Sequence, residues 1–187
     1  MSHQGFTLWF TGLSGAGKTT ISTKVALALK QRDCRVELLD GDAIRTHLSP
    51  ELGFSKHDRH THLRRLGFVA HLLSRNGVIA IVATISPYQS IRDEVRAMTA
   101  YVEVYVKASL AQCEQRDVKG LYAKARAGEI KHFTGLDDPY EEPVAPEIIC
   151  HTEQESVDES TAIVLSALEA FAYIPTTASA CGERLRP

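Results

Sequence analysis

Long apolar runs, an excess of charge of either sign and paired cysteines are all missing from this sequence. No stretch reaches the roughly 18 apolar residues of a transmembrane helix, so we expect no membrane span. With 21 basic and 23 acidic residues the formal net charge is −2, which predicts no binding of nucleic acid or anionic membranes through an overall field. Residues 1–4 lack a leader pattern, so we expect no secretory signal and a cytoplasmic protein.

The four cysteines stand apart from one another, at Cys34, Cys113, Cys150 and Cys181. Because no C-x-x-C spacing occurs, a structural zinc site is not expected. Isolated cysteines are typical of reduced thiols in an intracellular protein, and we predict that state here. A redox-regulatory pair remains the alternative.

A complete phosphate-binding loop of the form G-x-x-x-x-G-K-[ST] is the most informative pattern that is present. An apolar stretch at 6–10 precedes it and a helical pattern at 21–29 follows it, which is the strand–loop–helix setting that this motif requires. Loop N–H groups and the helix N-terminus both favour a bound phosphate. We therefore predict ATP binding by Gly12, Leu13, Ser14, Gly15, Ala16, Gly17, Lys18 and Thr19.

Apolar runs that alternate with helical patterns predict an α/β fold, a doubly wound parallel sheet of the P-loop kinase type flanked by helices. The length of 187 residues suits one domain, which we place at 1–173, with an unstructured tail at 174–187. Ser55 begins a long helix with a capping pattern that includes Asp58. The other predicted elements are strands at 35–39, 78–83, 101–106 and 147–150 and a last helix at 157–171.

The segment 116–144 breaks this alternation, because it is rich in Lys, Arg, Gly, Asp and Pro and has little apolar periodicity. So long a segment without a clear strand is typical of an active-site lid or of disorder, and we predict a mobile basic lid. Its cations can stabilise a transferring phosphoryl group and exclude water. They are Arg116, Lys119, Lys124, Arg126 and Lys131.

Three classes of P-loop protein compete for this sequence. A GTPase should carry an N-K-x-D motif, and a motor or transporter ATPase an apolar strand that ends in Asp-Glu; neither pattern occurs. A small-molecule kinase needs a short chain, a basic lid and an acidic acceptor site, and all three are present. The sequence therefore favours phosphoryl transfer to a small acceptor.

Asp40 and Asp42 follow the second predicted strand and supply the acidic site. Phosphoryl transfer needs Mg²⁺ on the phosphates and a group that orients or deprotonates the attacking hydroxyl. We assign Thr19 and Asp40 to a Mg²⁺ ion bound with ATP, and Asp42 to the acceptor hydroxyl as the base. The alternative is that the Asp-Gly-Asp loop only caps the following helix.

With these residues the chain resembles the adenylylsulfate (APS) kinase family from about residue 5 to residue 171. The likeness includes the P-loop, the D-G-D tip and most of the predicted lid. Its motifs are Leu39-Asp40-Gly41-Asp42 followed by Arg45, Leu52-Gly53-Phe54-Ser55, Asp58-Arg59, Arg64-Arg65, Ile85-Ser86-Pro87-Tyr88, Arg92-Asp93, Lys119-Gly120-Leu121-Tyr122, Gly128-Glu129-Ile130-Lys131, Phe133-Thr134-Gly135 and Asp138-Pro139-Tyr140-Glu141.

The resemblance implies transfer of the ATP γ-phosphate to the 3′-hydroxyl of APS, with ATP and APS as substrates, and a homodimer with functional coupling to ATP sulfurylase. Phe54 and Phe133 match an aromatic clamp on the APS adenine, which suits the π-face of a base. Arg45 and Arg59 match cations that hold the phosphosulfate. The substrate-binding positions that complete the set are Asp42, His62, Ile85, Ser86 and Lys119.

Ser86 is counted with Lys18 and Asp42 among the catalytic positions, since the family has carried a proposal of a phosphoserine intermediate. No adjacent base in the sequence activates this serine, so we expect it to contact substrate instead. The chain departs from the family pattern at Ala43 and His62, where Asn is usual, and a histidine can titrate near neutral pH. A different nucleotide-like acceptor, or a catalytically weak ATP-binding partner of ATP sulfurylase, therefore remain alternative functions.

Overall fold

A computed structural model describes residues 4–176 and contains one five-stranded sheet in which every paired strand is parallel. The strand order is β2-β3-β1-β4-β5. The sheet confirms the predicted α/β architecture, and β1 lies at its centre between β3 and β4. The strands are β1 Thr7–Thr11, β2 Val36–Asp40, β3 Ile79–Ala83, β4 Tyr101–Lys107 and β5 Ile148–His151.

Helices cover both faces of the sheet, as the near-continuous burial of β1, β3 and β4 requires. On one face α1 packs against α7, and on the other α3 packs against α2 and α4. The described residues contain no helix that combines the length and apolarity needed to cross a bilayer. The helices are α1 Lys18–Lys30, α2 Gly41–Leu48, α3 Lys56–Ser74, α4 Gln89–Arg96, α5 Leu110–Arg116, α6 Leu121–Arg126 and α7 Val157–Ala170.

The ends of α3 and α7 follow the chemistry of their N-caps. The Ser55 hydroxyl accepts a hydrogen bond from the Asp58 amide, as the capping pattern predicted. Ser156 and Glu159 form a reciprocal capping box at the start of α7. Local side-chain chemistry therefore sets where both helices begin.

The predicted lid contains a helix and buried aromatic side chains, which its composition did not indicate. It contains α6, and Tyr122 and Phe133 lie buried against the main core. Its first residue, Arg116, ends α5 instead of belonging to a loop. The mobility of this segment remains a prediction.

The C-terminal part of the described chain is packed on the core, and the described cysteines are buried. Ile174 is buried in the core, so the ordered packing extends past the predicted domain end at residue 173, while residues 177–187 of the predicted tail lie outside the described part. Cys34, Cys113 and Cys150 are buried free thiols, and burial raises the pKa of each. Cys181 also lies outside the described residues.

Candidate active site

The P-loop connects β1 to α1 with a backbone that only glycine fits comfortably. Gly12 has φ 150°, and a Cβ there would lie 2.4 Å from the Val106 carbonyl oxygen. Gly17 has φ 105° and is the N-cap of α1. The loop therefore passes close to β4 and leads directly into the N-terminus of α1, which is the setting of a phosphate site.

The Lys18 ammonium lies over this loop. It donates to the carbonyl oxygens of Gly12 at 3.0 Å and Leu13 at 2.8 Å. Burial lowers its pKa to about 8, and the nearby Asp42 carboxylate opposes that shift. A buried cation held by neutral carbonyls is well placed to exchange them for phosphate oxygens.

Thr19 and Asp40 meet as the sequence predicted. The Thr19 hydroxyl donates to Asp40 Oδ2 at 3.1 Å, and Asp40 Oδ1 accepts from the amides of Asp42 at 3.0 Å and Ala43 at 3.2 Å. Asp40 is therefore the N-cap of α2, so the capping alternative holds for this residue, while its role toward Mg²⁺ stays a prediction.

The oxygen atoms of Thr19 and Asp40 fit a Mg²⁺ ion that is held mainly by nucleotide phosphates. Mg²⁺ prefers oxygen ligands and commonly takes one or two carboxylates together with phosphates and waters. Within residues 4–176 no cluster of three or more His, Cys, Asp or Glu side chains offers a site made by the protein alone.

Asp42, in the first turn of α2, projects into solvent and pairs with the predicted lid. Lys119 Nζ lies 2.5 Å from Asp42 Oδ2, and this hydrogen bond raises the pKa of Lys119. The side chain of Asp42 is 80% exposed and that of Lys119 61% exposed. The proposed base and a lid cation are thus brought together at the surface.

Two arginines surround the Phe54 ring, which is 57% exposed. The guanidinium carbons of Arg45 and Arg59 lie 4.7 Å and 5.6 Å from the ring centroid. Arg59 also donates to the carbonyl oxygens of Phe54 at 2.9 Å and His132 at 2.6 Å, so it joins the start of α3 to the lid. The cations and the aromatic ring predicted for the acceptor therefore share one surface.

The second predicted clamp residue, Phe133, is only 8% exposed. Its ring packs edge-on against Tyr122 at a centroid distance of 4.9 Å, and the Tyr122 hydroxyl donates to the Ser14 carbonyl of the P-loop at 2.9 Å. In this structure Phe133 is a packing residue next to the P-loop, while Phe54 presents an open face. Their joint role as a clamp remains a prediction.

His62 is buried on α3, and its Nδ1 lies 3.0 Å from the Ser49 hydroxyl. Burial lowers its pKa to about 4, and the positive charges of Arg45 and Arg65 act in the same direction. The expectation that this histidine titrates near neutral pH is therefore wrong. The ring is neutral at pH 7.

Ile85 and Ser86 form a strained corner beyond the end of β3. Ser86 has φ 41°, in the left-handed region that a serine adopts only at a cost of roughly 1–3 kcal/mol. Its buried hydroxyl accepts from Trp9 Nε1 at 3.0 Å, and the Thr11 hydroxyl donates to the Ile85 carbonyl at 2.7 Å. Because Ser86 Oγ contacts an indole N–H and no base, the geometry does not favour a phosphoserine intermediate.

Thr152 is a residue near the nucleotide loop that the sequence analysis missed. Its hydroxyl donates to the Ala16 carbonyl at 2.9 Å, and Arg116 NH1 lies 3.1 Å from the same hydroxyl and 3.4 Å from the Gly15 carbonyl. Arg116 was predicted as a lid cation, but it supports the far side of the P-loop. No motif around Thr152 signals this contact, which depends on β5 lying beside β4.

Comparisons with known proteins identify the family. The family model described as adenylylsulphate kinase matches residues 4–151. The chain is 58% identical over 175 residues to the adenylyl-sulfate kinase of Picosynechococcus. This alignment covers 93% of this chain and 99% of that protein. The chain belongs to the adenylylsulphate kinase family.

Two further members of the adenylylsulphate kinase family extend this result. The Mycobacterium tuberculosis APS kinase CysC, solved in complex with AMPPNP and APS, is 43% identical and superimposes with a TM-score of 0.86 over 89% of this chain and 99% of that chain. A probable bifunctional SAT/APS kinase of Sorangium cellulosum is 51% identical over 94% of this chain, which spans 30% of that protein. The chain is therefore a P-loop kinase by sequence and by structure.

Proposed function

We propose that the chain transfers the γ-phosphoryl group of ATP to the 3′-hydroxyl of adenylyl sulfate, giving 3′-phosphoadenylyl sulfate and ADP. The observation that carries this proposal is a connected path of side chains, which runs from Thr19 through Asp40 and the α2 N-terminus to Asp42 and Lys119. This path joins the nucleotide loop to the proposed acceptor surface. Its supports are the 58% identity to an adenylyl-sulfate kinase and the M. tuberculosis homologue solved with both an ATP analogue and APS.

On the nucleotide side, the P-loop amides and Lys18 bind and orient the phosphates. Phosphate charge replaces the loop carbonyls as the partner of Lys18 and raises its pKa, which burial lowers to about 8. Thr19 and Asp40 would hold the Mg²⁺ ion, which neutralises charge on the β- and γ-phosphate oxygens when it is bound.

On the acceptor side, Asp42 acts as the base. The 3′-oxygen attacks the γ-phosphorus, the bond from that phosphorus to the β–γ bridging oxygen breaks, and the hydroxyl proton passes to the Asp42 carboxylate. Lys119 leaves Asp42 and pairs with phosphoryl or phosphosulfate oxygens. Ser86 and Ile85 form the adjacent wall of the acceptor site.

Phe54, Arg45 and Arg59 bind the acceptor. The exposed Phe54 ring offers a face to the adenine, and the two guanidiniums suit the planar oxygen arrays of a phosphosulfate. Phe133 completes the adenine site when the lid closes. His62 supports this surface from below through Ser49, as a neutral residue.

The protein as a whole is proposed to be a cytoplasmic homodimer that uses Mg²⁺ with ATP and is functionally coupled to ATP sulfurylase. The fused SAT/APS kinase of Sorangium cellulosum supports the coupling, because a chain of this kind is part of a larger protein there. Light scattering of the purified protein tests the dimer, and co-purification with ATP sulfurylase tests the coupling.

The decisive experiment measures transfer of label from γ-labelled ATP with purified protein. Adenylyl sulfate is compared with adenosine 5′-monophosphate and other nucleotide acceptors, and Lys18→Ala serves as the inactive control. Turnover with adenylyl sulfate alone is expected. Turnover with another acceptor supports the alternative kinase, and ATP binding without any turnover supports a catalytically weak partner.

A further inference from the structure

Arg92 is a buried cation that the proposed mechanism does not use. It lies on α4, is 1% exposed, and its main counter-charge is Glu103 in the middle of β4, which is 2% exposed. Arg92 Nε lies 3.2 Å from Glu103 Oε1 without forming an aligned hydrogen bond, so the pair is chiefly a charge contact. Buried ion pairs of this kind contribute little to stability compared with apolar side chains of equal volume.

The terminal nitrogens of Arg92 reach two separate parts of the active site. NH1 donates to the Ser86 carbonyl at 2.7 Å, and NH2 donates to the Glu141 carbonyl at 2.7 Å. Ser86 is the strained residue at the acceptor corner, and Glu141 lies at the C-terminal end of the predicted lid. One guanidinium therefore connects both segments to the sheet.

Further contacts join the same two segments. The Glu141 amide donates to the Pro87 carbonyl at 2.8 Å, and the Gln89 amide donates to the Glu141 carboxylate at 2.6 Å. The neighbouring Tyr140 hydroxyl lies 3.0 Å from the Thr11 hydroxyl of β1. The end of the lid is thus bonded to the loop 85–89, and Arg92 is the cation of this junction.

We propose that Arg92 is a positioning residue for phosphoryl transfer, which holds the strained Ser86 corner and the Glu141 end of the lid in the geometry that the acceptor requires. Glu103 neutralises the buried charge and fixes the guanidinium. The inference rests on the proposed function, since the affected step is acceptor binding and transfer. The P-loop is held by other contacts, so ATP binding does not depend on Arg92.

The test is a double variant, Arg92→Met with Glu103→Leu, which removes both charges and leaves no unpaired buried ion. The matched control, Arg32→Met with Glu169→Leu, removes the 2.6 Å pair between the end of α1 and α7, away from the active site. We expect the first variant to retain ATP affinity and a cooperative melting transition, at a lowered temperature because the Ser86 and Glu141 carbonyl oxygens lose their donor. Its kcat/KM for adenylyl sulfate should fall by about tenfold or more, because a small displacement of the acceptor from its reactive position lowers the rate of transfer by such factors.

An acceptor kcat/KM within about twofold of the parent would overturn the proposal, as would an equal loss in the control pair. Should the double variant not fold, Arg92→Lys takes its place, because it keeps a cation beside Glu103 but cannot donate to the Ser86 and Glu141 carbonyl oxygens together. It should raise the KM for adenylyl sulfate by about threefold with unchanged ATP affinity, and an unchanged KM would contradict the proposal. Parental turnover with adenylyl sulfate is measured separately, so failure of the proposed function is distinguished from failure of the positioning role.

Discussion

The Lys119 ammonium lies 2.5 Å from the Asp42 carboxylate, across 77 residues of sequence. Both side chains are exposed, and exposed pairs of this type contribute about 0–1 kcal/mol. An acceptor can therefore displace Lys119 at little cost, while the pair keeps the carboxylate occupied and the predicted lid close to α2. Under the proposed mechanism, phosphoryl transfer requires this contact to open.

Asp42→Asn should lower kcat by about 10²–10⁴-fold, the usual contribution of a positioned general base. ATP binding should persist, since Asp42 contacts neither Lys18 nor Thr19 directly. Initial rates and equilibrium nucleotide titration measure the two effects. Asp158→Asn, an exposed carboxylate at the start of α7, is the control, and unchanged turnover in Asp42→Asn would remove Asp42 as the base.

ATP affinity should fall with rising pH in a way that depends on Lys18. The pKa of this lysine is lowered to about 8, and the phosphates bind the protonated form. The ammonium fraction falls about tenfold between pH 7 and pH 9, so the affinity should fall by a similar factor. Lys18→Ala should abolish this dependence and cost on the order of 3 kcal/mol of transition-state stabilisation. Equal parental affinity at both pH values would contradict the assignment.

Acidification should destabilise the fold through His62. Its folded pKa of about 4 lies below the usual value of 6.5, so the unfolded chain binds the extra proton and stability falls as pH drops through this window. Between pH 7.5 and pH 5 the loss should be about 2 kcal/mol in the free energy of unfolding. Urea titrations of the parent and His62→Asn measure it.

In His62→Asn this part of the pH dependence should disappear. His47→Asn, at an exposed position on α2, should keep it. If the parent and His62→Asn lose stability equally on acidification, the buried neutral state of His62 is refuted.

Phe54→Ala and Phe133→Ala should weaken acceptor binding by about 1–3 kcal/mol each if both rings stack on the adenine. Their effects on stability should differ. Removing the buried Phe133 side chain should cost about 3–5 kcal/mol in the free energy of unfolding, whereas Phe54 is largely exposed. The acceptor KM measures the effect on binding and thermal melting measures the effect on stability. Phe68→Ala, at an exposed position, is the control. An unaltered acceptor KM in Phe54→Ala would refute the clamp.

Features of the fold and of the site that depend on residues close together in the sequence were predictable from it. The P-loop needs glycines at fixed positions between a strand and a helix, and a short strand ending at Asp40 places that carboxylate at the same edge of the sheet as the loop. The Thr19–Asp40 contact follows from this topology. The capping of α3 by Ser55 likewise depends on four consecutive residues.

Features that depend on tertiary distance were not predictable in this way. In the sequence, Arg92 is one helical cation and Glu103 one strand carboxylate. Their pairing could not be predicted, because it arises only when α4 packs on the sheet. The low pKa of His62 depends on its burial beneath Arg45 and Arg65, which no local pattern specifies. Composition indicated a mobile basic lid and gave no sign of its packing, but Tyr122 and Phe133 inside it are buried against the main core and Tyr122 bonds to the P-loop.

The double use of Asp40 has a consequence for how this enzyme can change over evolutionary time. One oxygen of its carboxylate caps the helix that carries Asp42 and Arg45, and the other meets Thr19 on the nucleotide side. If the proposed roles hold, a mutation at Asp40 that alters the Mg²⁺ site also alters the start of the helix that carries the base. New acceptor preferences are therefore more accessible through Phe54 and Arg59, which lie outside the helix that Asp40 begins, than through Asp42 and Arg45 on that helix.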